Sequence, residues 1–200
     1  MSTTLHLVRH GETVWHAENR YAGSSDVALT DRGHQQARRL AQWARDERPR
    51  SVHSSTLGRA ALTAQPSAEA LGLDVTQHDA LREVDFGRGE GMTRAEMAGT
   101  FPDELERFLA RPAENPLPDG ESGLTALDRA WPLLLQLAAD AEGSVLVVMH
   151  STLLRLVLCR ALDLDPNRYR SVFPTVHNVA PTTVRLHDDG AALLAFNQTL

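Results

Sequence analysis

The stretch LHLVRHGETVW, Leu5–Trp15, runs an apolar segment straight into Arg9 and His10 and then into Gly11. Leu5–Val8 is short, apolar and followed by a glycine, the pattern of a buried first strand. A strand that merely reaches the surface can end in any polar residues. The Arg–His pair therefore acquires meaning only if other segments bring matching groups to the same rim. Consecutive side chains of a strand point to opposite faces, so both reach one ligand only where the chain leaves regular geometry. Gly11 is expected to supply that freedom.

Outward from this strand, elements alternate. Thr30 is a candidate N-cap, and the segment through Arg45 has apolar positions at Ala37, Leu40, Ala41 and Ala44, the spacing of an amphipathic helix. SVHSS, residues 51–55, reads as a second strand, and LGRAALTAQPSAEALG, residues 57–72, as a helix interrupted or kinked near Pro66 and stopped at Gly72. A third strand is expected before Leu81, then the glycine-rich turn FGRGEGM and a short helix opened by Thr93 and Glu96 in capping-box spacing. ARPAENPLPDGES, residues 110–122, reads as a surface loop ahead of a long helix from Leu124 to Ala141. SVLVVMH is the clearest strand, apolar and β-branched as in a parallel sheet covered on both faces, and it leads into the apolar helix STLLRLVLCRAL. Two further strands, from Val179 onward, flank Gly190 as a hairpin. The fold class expected is α/β, a three-layer, open, mostly parallel sheet flanked by helices, with ligands at the carboxyl ends of the strands. His10 and His150 each follow such an end.

The 200 residues carry a formal net charge of -6 and are 42% hydrophobic and 23% charged, the balance of one globular domain, 1–200. That charge argues against a general nucleic-acid binder or a membrane-surface protein, and confines any anion site to a local pocket. The start MSTTLHLV lacks a basic n-region and a long apolar h-region, and no apolar run approaches the roughly 20 residues that span a bilayer, so a cytoplasmic protein is expected. Cys159 is the single cysteine, which excludes an internal disulfide and a thiolate zinc cluster. All twenty basic residues are arginines. Without lysine there is no Walker-type phosphate loop and no Schiff base. An anion must be gripped by arginine, histidine or backbone N–H groups, and the planar fork of arginine matches phosphate oxygens.

Singly, each candidate is weak, and His6, His34, His53, His78 and His187 read as structural or solvated. The setting of the others changes this. LVRHGETVW resembles the signature of the histidine phosphatase superfamily, the group that includes phosphoglycerate mutases. ENRYAGSSDVALTDRG, SSTLGRAALTA, LREVDFGRGEG and VLVVMHSTLLR resemble later segments of that family in order. The resemblance implies a phosphoglycerate mutase-like fold in which an insert, residues 93–122, covers the active site. It implies that His10 is a nucleophile forming a phosphohistidine, that Arg9, Arg59 and His150 surround the phosphoryl oxygens, and that Glu83 protonates the leaving oxygen. Gly11, His16, Ala22, Gly23, Glu121, Ser122 and Ser151 are carried over as substrate-binding positions, beside Arg9 and Arg59.

Chemistry is consistent with those roles. Phosphoryl transfer asks for in-line positioning and fixed positive charge on the equatorial oxygens, which arginines and a histidine supply without a metal or cofactor. A histidine attacks near neutral pH if one ring nitrogen is unprotonated and the other N–H is held by an acceptor. Ser151 and Thr152, opening a helix, would add backbone N–H groups at the rim. Glu83 must hold a proton to act as an acid, which the charge of a nearby phosphate favours. The partner implied is a small phosphorylated substrate, with a homodimer left open.

Within the family the residues divide. WHAENRYAG is closer to mutases, yet His16 stands where asparagine is usual, Ala22 where a hydroxyl residue contacts phosphate, Phe86 where mutases carry tyrosine, and Ser151 where glycine follows the second histidine. The longer insert by which mutases hold phosphoglycerate is absent, and LPDGESGLTALDR resembles the GES…R segment of the smaller phosphatases. Hydrolysis of a small phosphorylated metabolite is therefore the expected reaction. The alternatives are mutase-type transfer and a non-catalytic phospho-ligand binding protein, though binding alone needs neither a nucleophile nor Glu83. A metal hydrolase built on His10, Glu12 and His16 lacks the HExxH spacing, and FGRGEG does not make GxGxxG.

Overall fold

The segment VLVVM is a strand whose five side chains are all inaccessible to solvent. In the computed structural model, which describes residues 3–187 and 190–200, six strands form one sheet. They are β1 (Thr3–Arg9), β2 (Ser51–Ser55), β3 (Val75–His78), β4 (Val145–Met149), β5 (Thr182–His187) and β6 (Gly190–Ala195), in the spatial order β3-β2-β4-β1-β5-β6. β3, β2, β4 and β1 run parallel, while β5 is antiparallel to β1 and β6 to β5. The sheet is thus mixed, with its parallel part holding the buried centre. The expected hairpin is β5–β6, and its connecting residues 188–189 lie outside the described residues.

Helices cover both faces. α1 (Asp31–Glu47) and α2 (Gly58–Leu71) present Leu40, Ala44, Ala60, Ala64 and Ala68 to Val8, Val52, Leu146 and Val148 of the sheet. The alanines let the two helices lie close to the strands and to each other. Thr30 caps α1 by accepting from Gly33 N–H at 3.0 Å, and Gly72 ends α2 with φ 70°, where a Cβ would be strained. On the opposite face α3 (Arg94–Thr100), α4 (Pro102–Ala110), α5 (Gly123–Asp140), α6 (Ser151–Ala161) and α7 (Tyr169–Val172) share a core with Leu5, Leu7, Val145, Val147 and Met149.

Three expectations change. α2 continues through Pro66 without interruption, because the buried row Ala60, Ala64 and Ala68 holds it against sheet and α1 despite the missing N–H. Residues 110–122 are not wholly a surface loop, since Ala113 and Leu117 are buried in the core. The sequence reading also stopped one helix short here: Pro102 opens α4 at its first turn, where its missing N–H costs nothing. The capping box of Thr93 and Glu96 is formed as expected at the start of α3.

The parallel register carries the functional consequence. β1 and β4 are neighbours, with Arg9 opposite Met149, so the residues that follow them emerge side by side at the carboxyl edge. His10 N–H bonds Met149 O at 3.0 Å and extends the ladder by one step.

Because Leu146 has no exposed surface and packs on the alanine face, Leu146→Ala should destabilise the protein by about 2–5 kcal/mol. Urea unfolding should show a lower midpoint at unchanged m-value. An unaltered midpoint would contradict this packing.

Candidate active site

His10 and His150 meet at the strand ends with ring centroids 5.1 Å apart. His10 Nδ1 lies 2.7 Å from Gly11 O, and a carbonyl only accepts, so Nδ1 carries the proton. Nε2 of the neutral ring is then unprotonated. Burial, then the charges of Arg59 and Arg9, hold the His10 pKa well below its ordinary value, so the ring stays neutral. His150 caps no N–H with its side chain, has no exposed surface and has both ring nitrogens without a hydrogen-bond partner. Burial, then Arg59 and His10, lower its pKa in the same way. An unpartnered imidazole in a dry site is costly unless a ligand completes it.

Gly11 does not serve as expected. It does not adopt a positive φ; a Cβ there would sit 2.8 Å from Gly33 O, so the glycine is required by close approach to the start of α1. Its N–H donates to Thr63 Oγ1 at 3.0 Å. The turn out of β1 is fixed from the other side by a segment the sequence did not single out. Val179 N–H bonds Arg9 O at 2.8 Å, and Asn178 Nδ2 donates to His10 O at 2.8 Å. Val179 adopts φ 59°, a strained conformation for a β-branched residue beside a site.

Arg9 donates to Val176 O at 2.8 Å and to His16 Nε2 at 2.7 Å, and its Nε is unpartnered. Burial, then repulsion from Arg155, brings its pKa down to about 10, which leaves it charged at neutral pH. Since arginine only donates, His16 Nε2 accepts from it, and Nδ1 lies against Thr13, with the Thr13 backbone N 3.0 Å and Oγ1 2.8 Å away. His16 therefore orients Arg9. Arg59, 1% exposed, is held by carbonyls alone: Ser25 O and Gly23 O at 2.7 Å and Ala22 O at 3.3 Å, with Nε unpartnered. Those carbonyls are in turn positioned by Glu90, whose carboxylate accepts from Ser24, Ser25 and Phe86 N–H. A Cβ at Gly23 would collide with Glu90 and with Val84 O, so this glycine is a packing requirement and not a ligand.

Glu83 is buried, and its oxygens accept from Val84 N–H at 3.0 Å, Thr152 N–H at 2.8 Å and Leu153 N–H at 2.9 Å. The first turn of α6 thus binds the carboxylate; the N–H of Thr152, expected to face phosphate, is taken. Glu121 and Ser122, expected near the substrate, support this loop from behind. Glu121 accepts from Asp85 N–H and pairs with Arg129 at 2.6 Å, Arg129 donates to Glu83 O at 3.0 Å, and Ser122 caps α5.

The groups open into a cleft of about 460 Å³ lined among others by Arg9, His10, His16, Ala22, Glu83 and Ser151. Arg59 and His150 lie beneath its lining, and Glu121, Ser122, Gly11 and Gly23 do not line it. Of residues 93–122, only Arg94 reaches the cleft. Glu12 turns to Thr30 Oγ1 at 2.9 Å and to Arg32, away from a metal triad with His10 and His16. Among the described residues no three His, Cys, Asp or Glu side chains are grouped to hold a metal ion, and no helix is long and apolar enough to cross a membrane.

Residues 5–199 match the family model of the histidine phosphatase superfamily, branch 1. Phosphoserine phosphatase 1 of Hydrogenobacter thermophilus is 31% identical over 196 residues, covering 98% of this chain and 92% of that protein. A probable phosphoglycerate mutase, GpmB, of Citrobacter koseri is 35% identical over 165 residues, 80% of this chain and 75% of its own. The solved structure of a mycobacterial glucosyl-3-phosphoglycerate phosphatase superposes with a TM-score of 0.89 at 25% identity, covering 100% of both chains.

The lowered histidines make stability depend on pH. Burial and then Arg9 bring His16 to about 4, and burial and then His78, whose Nε2 lies 3.0 Å from His53 Nδ1, bring His53 to about 4, each from 6.5. Between those values the unfolded chain binds more protons than the folded one, so stability falls as pH drops through that window. Urea midpoints should decline steadily from pH 7 towards 4.5, and less steeply in His53→Asn. A flat profile would mean that these rings titrate as hydrated ones.

Proposed function

The chain belongs to the histidine phosphatase superfamily, and on that footing we propose that it is a phosphomonoesterase that hydrolyses a small phosphorylated metabolite through a phosphohistidine on His10. One observation carries the reading: His10 Nδ1 is tied to Gly11 O, which leaves Nε2 as a lone-pair nucleophile beside two arginines with unpartnered Nε–H groups. In the first half-reaction the Nε2–P bond forms, the P–O ester bond breaks, and the leaving oxygen takes a proton from Glu83. In the second, water attacks the phosphohistidine and gives its proton to the Glu83 carboxylate, releasing phosphate and restoring His10. Arg9, Arg59 and His150 complement the equatorial oxygens throughout, and their rigid attachment lets them act without reorganising. Those charges take the place of a metal. A single buried, unpaired cysteine and a metabolite substrate accord with a cytoplasmic enzyme.

Hydrolysis is favoured over transfer to a second hydroxyl because the curated relative matched over the larger share of this chain is a phosphoserine phosphatase and because His16, Ala22, Phe86 and Ser151 depart from mutase positions.

Turnover of p-nitrophenyl phosphate in excess chelator, quenched rapidly, should trap an acid-labile, base-stable phosphoryl group on His10. His10→Ala should lose both adduct and activity while remaining folded. A label on Ser151, or activity restored only by a divalent ion, would overturn the mechanism.

Glu83→Gln should slow hydrolysis of an alkyl phosphate by roughly 10²–10⁴-fold and that of an activated aryl phosphate far less, as the aryl leaving group needs little protonation. Equal losses on both would assign the proton to another group.

A further inference from the structure

The outer wall of the cleft holds a second set of unsatisfied donors. Arg155 of α6 and Tyr169 and Arg170 of α7 line it together. Tyr169 is 1% exposed and its hydroxyl has no hydrogen-bond partner, and neither Arg155 Nε nor Arg170 Nη1 has one. Buried polar atoms are rarely left so, and three in adjoining residues of one cleft call for a common acceptor.

The arginines are held in place. Arg155 Nη2 donates to Ser151 Oγ at 2.9 Å, which ties it to the residue after His150. The Arg155 guanidinium lies 5.9 Å from the Tyr169 ring centroid and that of Arg170 5.2 Å from it, while Arg170 also lies 4.6 Å over Phe108. Tyr169 is therefore flanked by two positive forks. Among the described residues the ion pairs belong to other arginines, including Arg20, which lines the same cleft but is bound by Glu18 and Glu96. Burial and then Arg170 lower the Arg155 pKa, with Tyr169 and Glu83 acting the other way, and Arg155 in turn repels Arg9; an anion between the forks offsets that repulsion. In a chain of net charge -6, cations crowded into one cleft beside the single carboxylate Glu83 mark a local demand for negative charge.

We propose that Arg155, Arg170 and Tyr169 form a second anion subsite that takes a carboxylate on the organic part of the substrate, which makes the substrate a phosphorylated carboxylic acid. This rests on the phosphatase reading above. The planar forks of Arg155 and Arg170 and the Tyr169 hydroxyl suit the two oxygens of a carboxylate, and the bisphosphate below sets a second phosphoryl group against it.

Calorimetry on His10→Ala, in which no turnover occurs, compares three ligands: 3-phosphoglycerate, glycerol 3-phosphate with CH2OH in place of the carboxylate, and glycerol 1,3-bisphosphate. 3-Phosphoglycerate should bind about tenfold or more tighter than glycerol 3-phosphate, the scale of a charge-assisted hydrogen-bond pair. Adding Arg155→Met or Arg170→Met should bring the two affinities close together, and Tyr169→Phe, which preserves the packing, should narrow the gap. Equal affinities at the outset, a preference unmoved by all three variants, or tighter binding of the bisphosphate would overturn the carboxylate subsite. A wild-type protein that hydrolyses no phosphomonoester would remove the phosphatase reading and leave this binding ratio to be judged by itself; failure to bind any of the ligands would remove both.

Discussion

Guanidinium groups buried without a carboxylate partner set the terms for everything around the carboxyl edge of the sheet. Taking such a charge out of water is expensive, and it persists only where dipoles are already aimed at it. For Arg59 those dipoles are the carbonyls of Ala22, Gly23 and Ser25, and for Arg9 they are Val176 O and His16. Each support is itself supported: Glu90 collects the N–H groups of the loop whose carbonyls face Arg59, and Asn178 reaches both His16 and the His10 backbone. The positive field then keeps both imidazoles neutral, which is the form a nucleophile requires. Placement of fixed charge and ionisation of the two imidazoles are thus one arrangement.

Sheet order makes that arrangement possible. A hundred and forty residues separate His10 from His150 along the chain, and the adjacency of β1 and β4 removes the distance. β2, on the other side of β4, leads into α2 and delivers Arg59. The antiparallel β5 and β6 add nothing to the carboxyl edge themselves, but the segment entering β5 contributes Asn178 and Val179, which lock the turn out of β1.

β1 and β4 were legible because they are too apolar to be anything but buried, and the caps at Thr30 and Thr93 follow from local hydrogen-bonding chemistry. The histidines were legible as strand-end residues, and the family likeness added Arg59 and Glu83. What escaped depends on contacts distant in sequence. Nothing in the glutamate of FGRGEG announces that it serves the backbone N–H groups of Ser24 and Ser25 in a distant loop, and Asn178 is an ordinary loop residue until the fold brings it to His10. Glu121 and Ser122 show the same dependence: a motif beside a site can brace it from behind, as Glu121 does through Asp85 N–H and Arg129, as readily as face a ligand. Gly11 and Gly23 were also informative as glycines, but through contacts of absent side chains, which no one-dimensional pattern displays.

The short hydrogen bonds between Glu83 and the first turn of α6 have a mechanical side. That helix begins directly after His150, holds the carboxylate through Thr152 and Leu153, and carries Arg155 one turn further on. Three groups therefore ride on a single rigid rod whose Leu154, Val157 and Leu158 are sunk in the core. They cannot shift independently. A repacking beneath the rod that tilts it slightly displaces the Glu83 carboxylate, the second imidazole and the outer cation in concert, so distant core variation reaches the cleft as a change of alignment before it registers as a loss of folding.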